Sequence, residues 1–213
     1  MSNPEADRKP ELNRREAFQA AAAELDATFV EGKRSFRDEV HLQHGPWRIV
    51  LDTYVVSTGQ TTITYTRARA LYLARDDFTF RVSPRHLFHR IGERFGFYGL
   101  LVGDKALEHK YKITSSNDRR GRSLMRDRRL RELIMVQPSL RLDIRRLSWG
   151  RRRKMGDGVR AVTVQTEGVI KEPDRLANYV RLVAATLDQL ARVGGAYHEA
   201  VAEGRTYVLS RRG

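Results

Sequence analysis

The sequence predicts an α+β fold, in which antiparallel β-hairpins form one or two sheets packed by an N-terminal helix and a long C-terminal helix. Three observations predict it. Apolar and polar residues alternate through residues 47–56 and again through residues 140–145, as is typical of half-buried strands. Near the C terminus, over residues 176–190, the apolar spacing changes to four and three, which is typical of one helical face.

Helices are predicted near both ends of the chain. The N-terminal helix, within residues 11–30, has an apolar stripe formed by Phe18, Ala22, Leu25 and Phe29. The C-terminal helix begins at Pro173, a residue type that suits the first helical position. Its stripe consists of Leu176, Val180, Val183, Leu187 and Leu190. Both stripes are expected to pack across a face of a sheet.

The first half of the chain contains the clearest hairpin. Residues 47–56 and 61–69 are predicted as its strands, because turn-forming residues at 57–60 connect two alternating segments. Residues 78–82 alternate apolar and polar side chains and indicate a shorter third strand. A short helix capped by a serine is then predicted over residues 83–95.

Short helices and strands are predicted in the second half. Residues 111–113 indicate a strand, and residues 117–137 indicate a helical stretch divided in two and stopped by a proline. Residues 140–145 and 159–169 are predicted to form a second hairpin, with a charged outer face on its first strand. Its tip, residues 148–158, is expected to be a loop.

The domain prediction is a flexible tail at residues 1–10 and a single α+β domain over residues 11–213, with sub-units at 11–100 and 101–213. The sequence contains no cysteine, which excludes disulfides, thiolate nucleophiles and zinc fingers that use cysteine. No signal peptide and no transmembrane segment are expected, because no stretch approaches the roughly 18–20 apolar residues of a membrane span. A cytoplasmic location without a cofactor is therefore predicted.

The positive charge of the chain is concentrated in one segment. The formal net charge is +14, and residues 105–154 contain 17 basic residues against five acidic ones. The rest of the chain is close to balanced, so the excess indicates a surface that contacts an anionic partner. Arginine supplies 33 of the 40 basic residues, a skew that a GC-rich genome also produces.

The predicted site for nucleic acid or another polyanion lies in this segment. Its guanidinium and ammonium groups are expected to contact phosphates, and its tryptophan to stack on a base. The predicted residues are Arg119, Arg120, Arg122, Arg126, Arg128, Arg129, Arg145, Arg146, Trp149, Arg151, Arg152, Arg153 and Lys154. The alternative reading is a solvated charged face with a flexible loop.

Two weaker patterns concern metal chemistry. The histidine pairs His41/His44 and His86/His89 each have a spacing of three, but no carboxylate is placed to complete a metal site. The triplet at residues 108–110, Glu-His-Lys, matches a short nuclease-like pattern that holds Mg²⁺. Such a match arises easily in a charged chain, so neither a catalytic nor a metal site is predicted.

Three motifs carry a resemblance to a family of bacterial proteins of unknown function. They are HGPW at residues 44–47, LDTYVVSTG at 51–59 and TYTRARA at 64–70. The resemblance covers roughly residues 40–195 and implies a long hairpin, short helices and a long C-terminal helix. It implies no activity and no catalytic residues. It also implies that the basic run at residues 151–154 is particular to this chain.

The function expected from the sequence is non-enzymatic binding of an anionic partner, nucleic acid first, through residues 105–154. The alternative is an interaction or scaffold domain that binds an acidic protein or an anionic membrane surface. A metal-dependent phosphodiesterase comes third.

Overall fold

The computed structural model describes residues 12–33, 37–57, 59–85 and 99–202. These residues form one eight-stranded antiparallel sheet with helices packed on it, so the α+β prediction is confirmed. The predicted tail at residues 1–10 lies outside the described residues, as does nearly all of the helix predicted over residues 83–95.

The strands follow one another along the chain with helices inserted mainly in the second half. They are β1 (Thr28–Val30), β2 (Glu39–His44), β3 (Trp47–Ser57), β4 (Thr62–Leu73), β5 (Phe80–Pro84), β6 (Tyr111–Ser115), β7 (Arg141–Arg146) and β8 (Val159–Glu167). Their order across the sheet is β1-β2-β3-β4-β8-β7-β5-β6. Strands from both halves of the chain thus share a single sheet.

The helices differ greatly in length. Those in the described ranges are α1 (Arg14–Glu24), α2 (Lys105–Lys110), α3 (Asp118–Leu124), α4 (Arg128–Met135), α5 (Trp149–Met155) and α6 (Pro173–Arg192). None of the helices in these ranges is apolar over a length that would cross a membrane. Asn117 caps α3 and Asp127 caps α4, which explains why the helical stretch predicted here is divided in two.

One face of the sheet forms the hydrophobic core. Successive side chains of a strand point to opposite faces, and Ile49, Ala70 and Val162 occupy one row across β3, β4 and β8. All three are buried. The long helix α6 packs on these same strands and against α1. The predicted stripe of α6 is buried along its whole length, so both end helices lie on this core face.

The N-terminal helix is shorter than predicted. It ends at Glu24 because Asp26 takes a left-handed conformation with φ of 50°. Phe29 continues the apolar spacing of the helix by coincidence and lies in β1. The helix begins with a capping box in which Asn13 and Glu16 bond reciprocally to each other's backbone N–H groups.

Two other local predictions were wrong. Ser83 does not cap a helix, because Ser83 and Pro84 are the last residues of β5. Proline is tolerated there since β7 pairs with β5 only as far as Val82. The tip of the second hairpin is not a loop, because Trp149–Met155 forms the helix α5.

Candidate functional site

The sheet face opposite α6 is rich in arginine. Register pairs place Arg69, Thr163, Asp143 and Arg81 in one row across β4, β8, β7 and β5. The next row contains Asp52, Arg67, Gln165 and Arg141. We call this surface the arginine face; it also includes Arg145, whose row partner is Ala161. A flat surface with several guanidinium groups is suited to a polyanion.

Asp52 lies between two arginines of β4. Arg67 donates to both of its oxygens, from Nε at 2.9 Å and from Nη2 at 2.7 Å. Arg69 donates from Nε at 3.2 Å. The carboxylate is almost completely buried beneath these side chains. Two guanidinium groups and one carboxylate leave an excess charge of one.

Asp143 on β7, three strands away from β3, is paired in the same manner. It accepts a hydrogen bond from Arg81 Nε at 2.5 Å and another from Arg141 Nε at 2.6 Å. The sequence predicts Asp143 on the exposed outer face of its strand. It is buried instead, because the two arginine side chains lie over it. This second group also has one excess positive charge.

The helix α5 packs over one end of the arginine face. Met155 contacts a small apolar cluster on that face formed by Leu73, Leu147, Val159 and Ala161, together with Leu71. Burial lowers the pKa of Arg151, and repulsion from Arg69 and Arg67 lowers it further, while Asp52 acts in the opposite direction. The positive charge of Arg151 therefore adds to that of the two arginines of β4.

Aromatic side chains lie on the same side of the sheet. Tyr54 stacks on Tyr65 with ring centroids 5.2 Å apart, and the guanidinium of Arg67 lies 4.2 Å from the Tyr54 centroid. Tyr54 also donates a hydrogen bond to Gln165. Trp149 on α5 is 67% exposed, with the Arg153 guanidinium 5.4 Å from its ring centroid. Trp149 is the aromatic group best placed to contact a ligand.

The residues predicted from the sequence are divided between the two sides of the sheet. The arginines of α3 and α4 are on helices that pack on α6: Arg119, Arg120, Arg122, Arg128 and Arg129. Arg126 lies between these helices. Arg146 shares a row with Arg160 and Tyr72 on the core-face side. Only Arg145 and the α5 residues Trp149, Arg151, Arg152, Arg153 and Lys154 belong with the arginine face.

Several arginines of the predicted set are bound to acids of the chain itself. Arg120 pairs with Asp76 and stacks near Phe78, so it fastens α3 to the loop before β5. The other pairs are Arg122 with Asp118, Arg128 with Glu132 and Arg146 with Asp77. In contrast, Arg145 and Arg151 have no carboxylate partner among the described residues.

The set of site residues predicted from the sequence does not contain four arginines of this face: Arg67, Arg69, Arg81 and Arg141. A signal for two of them was present. Arg67 and Arg69 alternate with Ala68 and Ala70, and both alanines are buried on the core face. Alternation of a small residue with a long cation predicts a strand with one tightly packed face and one charged face.

The histidine pairs do not form a metal site within the described residues. His41 and His44 are three apart on β2, so they point to opposite faces of the sheet. His41 Nε2 lies 2.6 Å from Glu39, and His44 Nε2 lies 2.8 Å from Asp188 on α6. No group of three metal-binding side chains occurs in this part of the chain. His86 and His89 lie outside it.

The Glu-His-Lys triplet at residues 108–110 lies on α2, not on a strand edge. Glu108 accepts hydrogen bonds from the backbone N–H groups of Val102 and Gly103, at 2.7 and 2.9 Å. Lys110 donates to the backbone carbonyl groups of Met135 and Gln137. Both side chains thus hold loops in place.

We expect Glu108→Ala to lower the free energy of unfolding by about 1 kcal/mol, because two N–H groups lose a charged acceptor. Urea denaturation of the two proteins measures this difference. Glu108→Gln keeps one acceptor oxygen and is expected to lose less. Equal stability of all three proteins would show that the loop does not depend on Glu108.

The chain was compared with protein families, curated proteins and solved structures, and a similarity was found among the solved structures. No protein-family model matches the sequence, and no curated protein matches it either. The resemblance to a bacterial family therefore stays a prediction. Among solved structures, the chain is similar to the mycobacterial trehalose monomycolate transport factor A, TtfA. The identity is 12%, the TM-score is 0.49, and the match covers 86% of this chain and 97% of that one.

Proposed function

We propose that this chain is a non-enzymatic binding protein that contacts an anionic partner, nucleic acid first, through the arginine face and α5. One observation carries the proposal. Arg145 and Arg151, which lack acidic partners in the described ranges, lie beside two groups that each contain two arginines and one aspartate. The local excess of positive charge is therefore about four, on a surface made of strands.

The chemistry of the side chains favours phosphate groups. Arginine presents a planar fork of donors that matches phosphate oxygens, and it stays charged under all ordinary conditions. Arg67 and Arg69 are held in fixed orientations by Asp52, so little conformational freedom remains to be lost on binding. A single strand laid across a sheet is also a common arrangement in RNA recognition.

Trp149 supports nucleic acid over other polyanions. Its indole is largely exposed on α5, next to a helix side that carries Arg152 and Arg153. Stacking on an aromatic ring stabilises any unpaired base, so it adds affinity for a single strand without sequence preference. Every nucleotide of a single strand carries a base that can stack on Trp149, whereas an acidic protein has no such planar group at each residue.

Within the segment 105–154, the proposed binding surface is restricted to Arg145 and the residues of α5. The arginines of α3 and α4 lie on the other side of the sheet from the arginine face, and Arg120, Arg122 and Arg128 are already paired with acids. They supply a matched control for Arg145 and Arg151, since equal charge can be removed on either side of the sheet.

We expect the protein to bind a single-stranded oligonucleotide of about 20 nucleotides with a logarithmic salt slope of about −3, corresponding to about four phosphate contacts. Fluorescence anisotropy over a range of salt concentrations measures it. Arg145→Gln with Arg151→Gln should reduce the slope by about 1.4, since two contacts are lost.

The control is Arg128→Gln with Arg129→Gln on α4, which removes the same charge and should leave the slope nearly unchanged. Failure of the unaltered protein to bind RNA or DNA at low salt would end the nucleic-acid proposal. Equal effects of the two double variants would instead show that binding depends on net charge and not on the arginine face.

A further inference from the structure

Arginines from two distant parts of the chain contribute positive charge near one carboxylate, that of Asp52. Arg67 and Arg69 are two residues apart on β4, so they project side by side on the arginine face. Their side chains are only 17% and 26% exposed, and both donate to Asp52. The donor groups of both arginines are thus fixed near each other.

The third arginine reaches this position through the packing of α5. Met155 packs against an apolar cluster on this face, against which Leu71 packs as well. Leu71 is the next residue after Arg69 on the same side of β4. Arg151 precedes Met155 by four residues, so both lie on the same side of the helix. Arg151 therefore lies on the side of α5 that faces the sheet, where its charge interacts with those of Arg67 and Arg69.

The electrostatics of this cluster are unbalanced. Arg67 and Arg69 donate to the single carboxylate of Asp52, and the charge of Arg151 interacts with all three groups, which leaves an excess charge of two. Burial and the repulsion of Arg69 and Arg67 lower the pKa of Arg151. Arg151 nevertheless remains exposed to solvent and accessible to a ligand. An anion bound here would relieve the repulsion among the three cations.

We propose that Arg67, Arg69 and Arg151 form a phosphate-binding subsite within the arginine face. The excess charge of two corresponds to a phosphate monoester or to inorganic phosphate, and a phosphodiester of a nucleic-acid backbone presents two non-bridging oxygens and one negative charge. The subsite deepens the proposed function and rests on it for the source of the phosphate, which is a terminal or backbone phosphate of nucleic acid.

Arg153 is the matched control for Arg151. It lies on the same short helix and carries the same charge, but its guanidinium packs over Trp149 and not over β4. A variant of either residue changes the net charge of the protein equally. A difference between them therefore reports the position of the guanidinium.

The experiment measures binding of inorganic phosphate and pyrophosphate by isothermal calorimetry at low salt, with the full chain. Arg151→Gln is expected to weaken binding about tenfold, because a charged bidentate donor is lost, and Arg153→Gln less than about twofold. Arg151→Lys keeps the positive charge but lacks the planar pair of donors, so its phosphate affinity should lie between those of Arg151→Gln and Arg153→Gln. Thermal unfolding verifies that each variant is folded. If Arg151→Gln is not folded, Arg151→Lys is used in its place.

A second arm compares a single-stranded oligonucleotide with a 5′-phosphate and the same oligonucleotide with a 5′-hydroxyl. A terminal phosphate at the subsite should give tighter binding of the phosphorylated strand, and Arg151→Gln should remove that difference. Equal binding of the two strands, with both weakened by Arg151→Gln more than by Arg153→Gln, would place a backbone phosphate there.

Two outcomes separate this inference from the proposed function. If oligonucleotides bind but phosphate and pyrophosphate do not, and Arg151→Gln and Arg153→Gln weaken oligonucleotide binding equally, the subsite is wrong and the arginine face binds by general attraction. If phosphate binding depends on Arg151 while no oligonucleotide binds, the subsite stands and the nucleic-acid function is wrong.

Discussion

Asp38→Ala is expected to lower the free energy of unfolding by about 3 kcal/mol, because it leaves a nearly buried guanidinium without its carboxylate. Asp38 is fully buried just before β2 and accepts hydrogen bonds from Arg14, Arg15 and the backbone N–H of Gly32. The side chain of Arg14 is only 11% exposed. For a chain of this length the melting temperature should fall by about 6–12 °C, which calorimetry measures.

The double variant Asp38→Ala with Arg14→Met tests the cause. Methionine removes the charge that Asp38 balances and keeps an apolar stem against Phe18, over whose ring Arg14 now lies. The pair should therefore recover part of the lost stability, and the double-mutant cycle should give a coupling above about 1 kcal/mol. Additive losses would mean that Asp38 acts mainly through Gly32 and Arg15.

Asp52→Asn is expected to change stability and ligand binding in opposite directions. Loss of the carboxylate leaves Arg67 and Arg69 repelling each other and Arg151, so the free energy of unfolding should fall by about 1–2 kcal/mol. The same loss removes one negative charge beside the proposed phosphate subsite. For a charge separation of about 6 Å and an effective dielectric constant of about 40, phosphate binding should tighten about tenfold. Thermal unfolding and anisotropy titration of one preparation measure both effects.

Asp188→Asn is the control for the expected combination of lower stability and tighter ligand binding in Asp52→Asn. Asp188 lies on α6, on the core-face side of the sheet, and pairs with His44 of β2. Replacing Asp188 by Asn changes the net charge of the protein by the same amount as Asp52→Asn. It should alter oligonucleotide binding less than about twofold, because its distance from the arginine face leaves its charge screened. Weaker binding by Asp52→Asn than by the unaltered protein would contradict the expected gain and would show that the orientation that Asp52 gives to Arg67 and Arg69 matters more for binding than its charge.

The parts of the fold that the sequence predicts well are those with a local cause. The β3–β4 hairpin follows from alternation on both sides of a turn, and α6 follows from a long stripe behind Pro173. In β2 only Val40 and Leu42 alternate with polar residues, a pattern too short to indicate a strand. The helix α5 has Met155 as its main apolar contact, so no stripe distinguishes it from a charged loop.

The candidate site depends on contacts that no local pattern contains. Arg145 and Arg151 were included from the sequence because they lie in a basic run, but Arg67 and Arg69 lie far from that run. They come near Arg151 only because β4 pairs with β8 and α5 folds back over the sheet. Likewise, the burial of Asp143 follows from Arg81, which belongs to another strand. Such pairings depend on the order of the strands, which local sequence does not specify.

The strand order also has a consequence for how the chain folds. Strands β1 to β4 are consecutive neighbours and close only short loops, whereas the pairing of Leu73 with Val159 must close a loop containing much of the second half of the chain. Closing the longer loop costs more entropy, so β4 and β8 are expected to join late. Arg67 and Arg69 precede that junction, and Arg151 belongs to the segment that the junction brings in. The repulsion between Arg151 and these two arginines therefore arises only when β4 and β8 join, after the β1–β4 meander has formed.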